Sequence, residues 1–371
     1  MLIVLLSLTL ALLVGGIALP KLVAASPALW AHLILAVGVM SLITAAVQHF
    51  APVLARGRGP GPWLGRLPWL MGGAGLIVLA ALAGWLPWNM VAVAGLLGLG
   101  GAVAMVSWML GLSRQAVGAP HPGLCWYVAA MLCLVLGLGA ALLIPLFPEA
   151  HAALRVFHLH INLYGFVALT AVGTLQVLMP TAAGIPDPGA GGRLKIGARL
   201  AFFGSLLLAV GQTAGSFGLS ATGAALWGWV LGGMLLAWLR LFRARIVSWH
   251  GVEPALGAAA LGLVAAMSAA LLETAGVLEL ASPLSIFLPG FLFPLITGAA
   301  GQLAPVWLRP GRREAWHDQS VAALGRWGGA RALLFLSAAL IPLFGYQCAG
   351  MPALAALFWF GMLFVAWLFR E

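Results

Sequence analysis

The imidazole side chain is the commonest protein ligand for transition metals, and three of the chain's eight histidines fall where solvation cannot account for them. His32, His158 and His160 lie inside long apolar stretches, where a polar side chain is costly and therefore points to function. His158 and His160 are two residues apart. On a helix they point about 200° apart and face two different cavities. That leaves two outcomes open: two bound groups, or one bound group and one hydrogen bond. Asn162 and Tyr164 lie about one turn on and could orient an imidazole or a bound cofactor's carboxylate. Trp30 and Trp88 could line a pocket near the same depth. Glu273 reads as a proton-handling group or as an interfacial carboxylate. Gln48, Gln176 and Gln302 read as interhelical hydrogen-bonding residues. The remaining histidines, His49, His121, His151, His250 and His317, read as interfacial or solvated groups. Cys125, Cys133 and Cys348 form no CxxC pair. Walker, zinc-ligand and nucleophile-elbow motifs are absent.

The elements that position these residues follow from composition. Of 371 residues, 63% are hydrophobic and 7% charged, against about 25% charged in soluble proteins. The sequence is that of an all-α integral membrane protein forming a single polytopic domain, because a bilayer forces each span to satisfy its own backbone. Apolar runs long enough to cross about 30 Å of hydrocarbon place twelve spans. They lie near 2–23, 28–54, 68–86, 88–112, 123–147, 154–180, 196–217, 221–245, 254–275, 284–308, 330–347 and 350–369. The first lacks a basic n-region and reads as a retained span rather than a signal peptide. Sixteen of the 18 basic residues fall in one set of loops and ends, and only Lys21 and Arg155 in the other. The positive-inside rule then puts both termini on the cytoplasmic side of a bacterial-type inner membrane. The net charge of +10 is scattered through short loops, which argues against nucleic acid as a partner.

Three segments share one pattern: HLILAVGVMSLITAAVQHFAPVL from His32, HINLYGFVALTAVGTLQVLMPTA from His160 and SIFLPGFLFPLITGAAGQLAPVW from Ser285. Each carries a proline 20 residues after its first residue (Pro52, Pro180, Pro305) and a small residue seven before that proline (Ala45, Gly173, Gly298). These are spans 2, 6 and 10. The period is four helices, giving three parallel quasi-repeats of roughly 1–112, 123–245 and 254–371. His32 and His160 then sit at one depth, about 30 Å of helix from the cytoplasmic proline. Two imidazoles at equal depth on neighbouring helices could be the two axial ligands of one haem iron, a flat apolar disc suited to an interhelical slot. The competing reading is a pair of polar groups hydrogen-bonding across helices.

These residues resemble the haem–copper oxidase subunit I family, above all its cbb-type branch and the related nitric oxide reductases. That family has twelve spans in three arcs of four, with haem and copper ligands on spans 2, 6, 7 and 10. The resemblance covers most of the chain by span count and repeat phase, and reaches motif level only in spans 2 and 6. His32 matches the family's low-spin haem ligand of span 2. His160, Gly173 and Pro180 match its span 6 spacing, with Tyr164 four residues on, while HxHxxxxGF from His158 to Phe166 also looks like the family's span 10. The chain departs from the family where copper and haem ligands are due: span 7 reads GQTAG, Gly211 to Gly215, and span 10 offers Pro283 and Ser285.

The resemblance therefore implies a divergent member binding haem b, with more than one haem open and no copper expected. It implies electron transfer or small-gas binding (nitric oxide or oxygen), with a redox partner and without oxygen reduction at a haem–copper centre. The expected axial pair is His32 with His160, and His158 is a ligand on the opposite face. Whether the chain is an enzyme is left open. The alternative is a transporter or permease with parallel repeats, its histidines and Glu273 lining a substrate or proton path. A third reading is a membrane subunit without chemistry of its own.

Overall fold

The computed structural model describes residues 1–19, 26–278, 283–344 and 350–370. Helix is the regular structure throughout the described residues, with no strand among them. Eleven of the described helices are long and apolar enough to cross a membrane: α2 Pro27–Ala55, α3 Leu64–Leu82, α4 Met90–Gln115, α5 Gly123–Leu143, α6 Pro148–Ala183, α7 Ala190–Ala214, α8 Phe217–Leu241, α9 Glu253–Thr274, α10 Leu284–Leu308, α11 Ala315–Phe344 and α12 Gly350–Leu368. The shorter apolar helix Leu2–Ala18 precedes them as α1. The chain is thus an all-α, multi-pass membrane protein. Lys21, Cys348 and the expected ends of spans 1 and 11 lie outside the described residues.

The chain forms two compact units: 1–12, 19–174 and 191–230 make one, and 13–18, 175–190 and 231–371 the other. In the first, α7 and α8 pack backbone to backbone, because Gly204, Gly211 and Gly223 offer no Cβ at the crossing. Small residues let helices approach closely where lipid gives no hydrophobic drive. In the second unit the same device joins α9 to α10. A Cβ on Gly262 would collide with the backbone of Gly290.

Three helices widen into π-helix just after the first residue of the shared pattern. The stretches are Leu33–Val39 in α2, Ile161–Val167 in α6 and Phe287–Leu292 in α10. Wide π turns are uncommon and tend to mark functional positions. In the first unit, hydroxyls from neighbouring helices support the carbonyls of these turns. Thr9 Oγ1 donates to Gly38 O at 3.2 Å, and Ser205 Oγ lies 2.7 Å from Tyr164 O. Trp227 Nε1 in turn donates to Ser205 Oγ at 3.0 Å, so α8 steadies α6 through α7.

The loop preceding span 11 departs from expectation. Residues 315–324 are helical, and the chain breaks at Trp327, a non-glycine residue with φ of 56°. His317, expected to be interfacial or solvated, is buried at 6% exposure, with Nδ1 accepting from Glu314 N and Nε2 donating to Arg309 O. Arg331, expected at the start of span 11, is 3% exposed, and its guanidinium donates to the carbonyls of Leu324 and Arg326. A helix start with free carbonyls nearby can hold a cation that a solvated loop would otherwise carry.

The Gly262 crossing yields a direct expectation. Gly262→Ala should lower the apparent melting temperature of the purified protein, with a cost of at least about 1–3 kcal/mol as for overpacking. Gly361→Ala, where an added Cβ meets nothing, should leave it unchanged.

Candidate functional site

The site lies in the first unit and is built from α2, α5 and α6. His32 closes the first α-helical turns of α2, and its Nδ1 is 2.7 Å from Ala28 O, four residues back on its own helix. His160 repeats this arrangement on α6, with Nδ1 2.9 Å from Val156 O. Each histidine is followed at once by a π-helical stretch. His158 is held differently. Its Nδ1 lies 2.8 Å from Gly137 O on α5, so a neighbouring helix sets its ring.

A carbonyl oxygen can only accept, so a neutral imidazole bonded to one must carry its proton on Nδ1. All three rings are therefore fixed in the tautomer whose Nε2 bears the lone pair. An anchored N–H opposite an open nitrogen is how ligating histidines are held, the anchor setting both ring orientation and basicity.

The rings of His32 and His158 meet. Their centroids are 6.3 Å apart and their planes differ by 10°. Two metal–imidazole bonds of about 2 Å, with each ring centre roughly 1 Å behind its nitrogen, give a centroid separation of roughly 6 Å for an axial pair. The observed spacing matches. The competing reading, polar groups hydrogen-bonding across helices, is met in part by His158, whose ring bonds to Gly137 O on α5. With both Nδ1 protons committed to carbonyls, neither Nε2 has a proton to offer the other, so the two neutral rings cannot hydrogen-bond directly.

The sequence expectation paired His32 with His160; the ring that the structure sets against His32 is that of His158. The roughly 200° between alternate helical positions turns His160 to the other side of α6. There it is 4% exposed and stacks near Tyr164, with centroids 6.0 Å apart and planes 29° apart. Its Nε2 is buried with no hydrogen-bond partner among the described residues. An unpartnered buried acceptor costs about 1–3 kcal/mol.

The other expected residues separate clearly. Asn162 Nδ2 donates to His158 O at 2.7 Å and packs 3.3 Å from His158 Nδ1, a contact between two donors rather than a hydrogen bond. Tyr164 is 1% exposed within the π stretch and packs beside His160. Trp30, two residues before His32, points about 200° from it; its indole N–H is buried without a partner among the described residues. Trp88 is 57% exposed. Gln48 Nε2 donates to Leu64 O at 2.6 Å, the expected interhelical bond, while the amide oxygens of Gln48, Gln176 and Gln302 are buried without partners among the described residues. Glu273 is half-buried in the last turn of α9. Among the described residues no cluster of three or more His, Cys, Asp or Glu side chains is arranged to hold a metal ion.

Gly137 is the residue that the sequence alone did not single out. Its carbonyl anchors His158, and a Cβ there would strike the amide of Asn162. Only its glycine identity, within the GLG of span 5, marked it. Gly165 is a second such position, since a Cβ would meet Cys133, so α5 and α6 close tightly beside the site.

No protein-family model, curated protein or solved structure matches this chain.

The tautomers can be read directly. Nitrogen-15 NMR of metal-free protein labelled at histidine should show Nδ1-protonated, neutral rings for residues 32, 158 and 160 near pH 7.5, each lost in turn by its alanine variant. An Nε2-protonated ring at His32 or His158 would contradict the anchoring.

Proposed function

We propose that this protein binds a b-type haem in the membrane, with His32 and His158 as its two axial ligands, and acts in electron transfer as a divergent relative of haem–copper oxidase subunit I. One observation carries this reading: two near-parallel imidazoles at axial-pair spacing, both with Nδ1 tied to the backbone. The donor set also suits the group, because two neutral imidazoles add no charge to an apolar slot. Bound there, haem supplies a one-electron redox centre.

The chain's own residues do the rest. Ala28 and Gly137 hold the rings by their carbonyls, and Asn162 packs against His158. The buried, unpartnered Nε2 of His160 offers a second haem the one protein nitrogen it needs, and with it a place for a small gas such as nitric oxide. No copper centre belongs to the proposal, since Gly211–Gly215 and Pro283 and Ser285 stand where the family's remaining ligands would be. The arginine-rich ends of the spans are assigned to the cytoplasm, and the redox partner to the opposite face, nearer the histidines.

Purified full-length protein should show a Soret band. His32→Ala and His158→Ala should each remove the haem held by this pair, while His160→Ala retains it. Gly137→Ala should weaken haem retention by roughly ten-fold, the scale of losing a ligand's support. A folded, colourless protein that takes up no haem would overturn the proposal.

A further inference from the structure

Away from the histidines, a groove of about 300 Å³ opens on the outside of the first unit, between α4, α5 and α7. Its wall along α5 runs from Leu124 to Leu132, a length of about 12 Å at 1.5 Å per residue. Phe202 of α7 forms the facing wall, and Ala129 leaves the space between them open. The lining is apolar except for Ser113 of α4, Arg199 of α7 and the thiol of Cys125. Arg199 is exposed and has no carboxylate partner among the described residues. Two further exposed cations lie close to these polar residues in sequence: Lys195, one turn before Arg199, and Arg114, beside Ser113.

A flat helix face would suit any lipid tail. A groove with uncompensated positive charge at its mouth selects by headgroup as well as by chain. Basic pockets between spans at the arginine-rich end bind anionic headgroups, each nearby cation adding attraction. We infer that this groove is a binding site for one anionic phospholipid. Its acyl chain lies along α5 between Leu132 and Phe202, and its phosphate is met by Arg199 and the Ser113 hydroxyl. Trp126 gives the groove its fixed width from behind. Its indole donates to Leu194 O at 2.9 Å and ties α5 to α7.

The test is native mass spectrometry of the delipidated full-length protein with added dioleoyl phosphatidylglycerol or dioleoyl phosphatidylcholine. One phosphatidylglycerol should survive activation that strips phosphatidylcholine. Arg199→Gln, a surface change, should reduce retention several-fold, and Ala129→Phe, which fills the groove, should abolish it. Equal retention of the two lipids would overturn the inference. So would undiminished phosphatidylglycerol retention in Arg199→Gln, or its displacement by an added uncharged quinone.

Discussion

The structure turns on a proton that is already spent. In hydrocarbon a neutral imidazole has one N–H to give, and His32 and His158 both give theirs to a backbone carbonyl. What remains on each ring is a lone pair, and the two rings stand 6.3 Å apart. Lone pairs do not satisfy each other. Each lone pair is left for a group outside the two rings, and the haem proposed above would supply one iron for both. The same bookkeeping applies on the far side of α6, where the lone pair of His160 has no partner among the described residues.

The helices serve this geometry. His32 and His160 share an anchor four residues back and a π-helical stretch one residue on, so the local structure around them is the same. Their surroundings are not the same, because His158 adds a third imidazole on the opposite face of α6. Small residues then set how close the neighbours come. Gly137 admits Asn162 and presents its carbonyl to His158, and Gly165 admits Cys133. Replacing either glycine would move α5 away from the ring that it holds.

Much of this was legible in the residue order. Spans follow from hydropathy, and α10 begins and ends where the apolar run does, at Leu284 and Leu308. Histidines in apolar runs stand out for the same reason. Legibility stops where rotation about the helix axis decides. Sequence places His158 and His160 on opposite faces, but it does not say which face looks toward α2; the repeat pointed to His160, and the ring beside His32 is that of His158. The π stretches were equally hidden, since one extra residue in a turn leaves no trace in a 3.6-residue apolar pattern. Residues 315–324 read as loop because Glu314, His317 and Asp318 are polar. There a capping box between Glu314 and His317 buries what composition suggested was solvated.

The most direct measurement is electron paramagnetic resonance of the oxidised, purified protein. A low-spin ferric signal of bis-imidazole type is expected, converting to high-spin or vanishing in His32→Ala and in His158→Ala and persisting in His160→Ala. A low-spin signal that survives loss of His158 but not of His160 would show that the iron sits between a different pair of rings, and the geometry argued from residues 32 and 158 would be wrong.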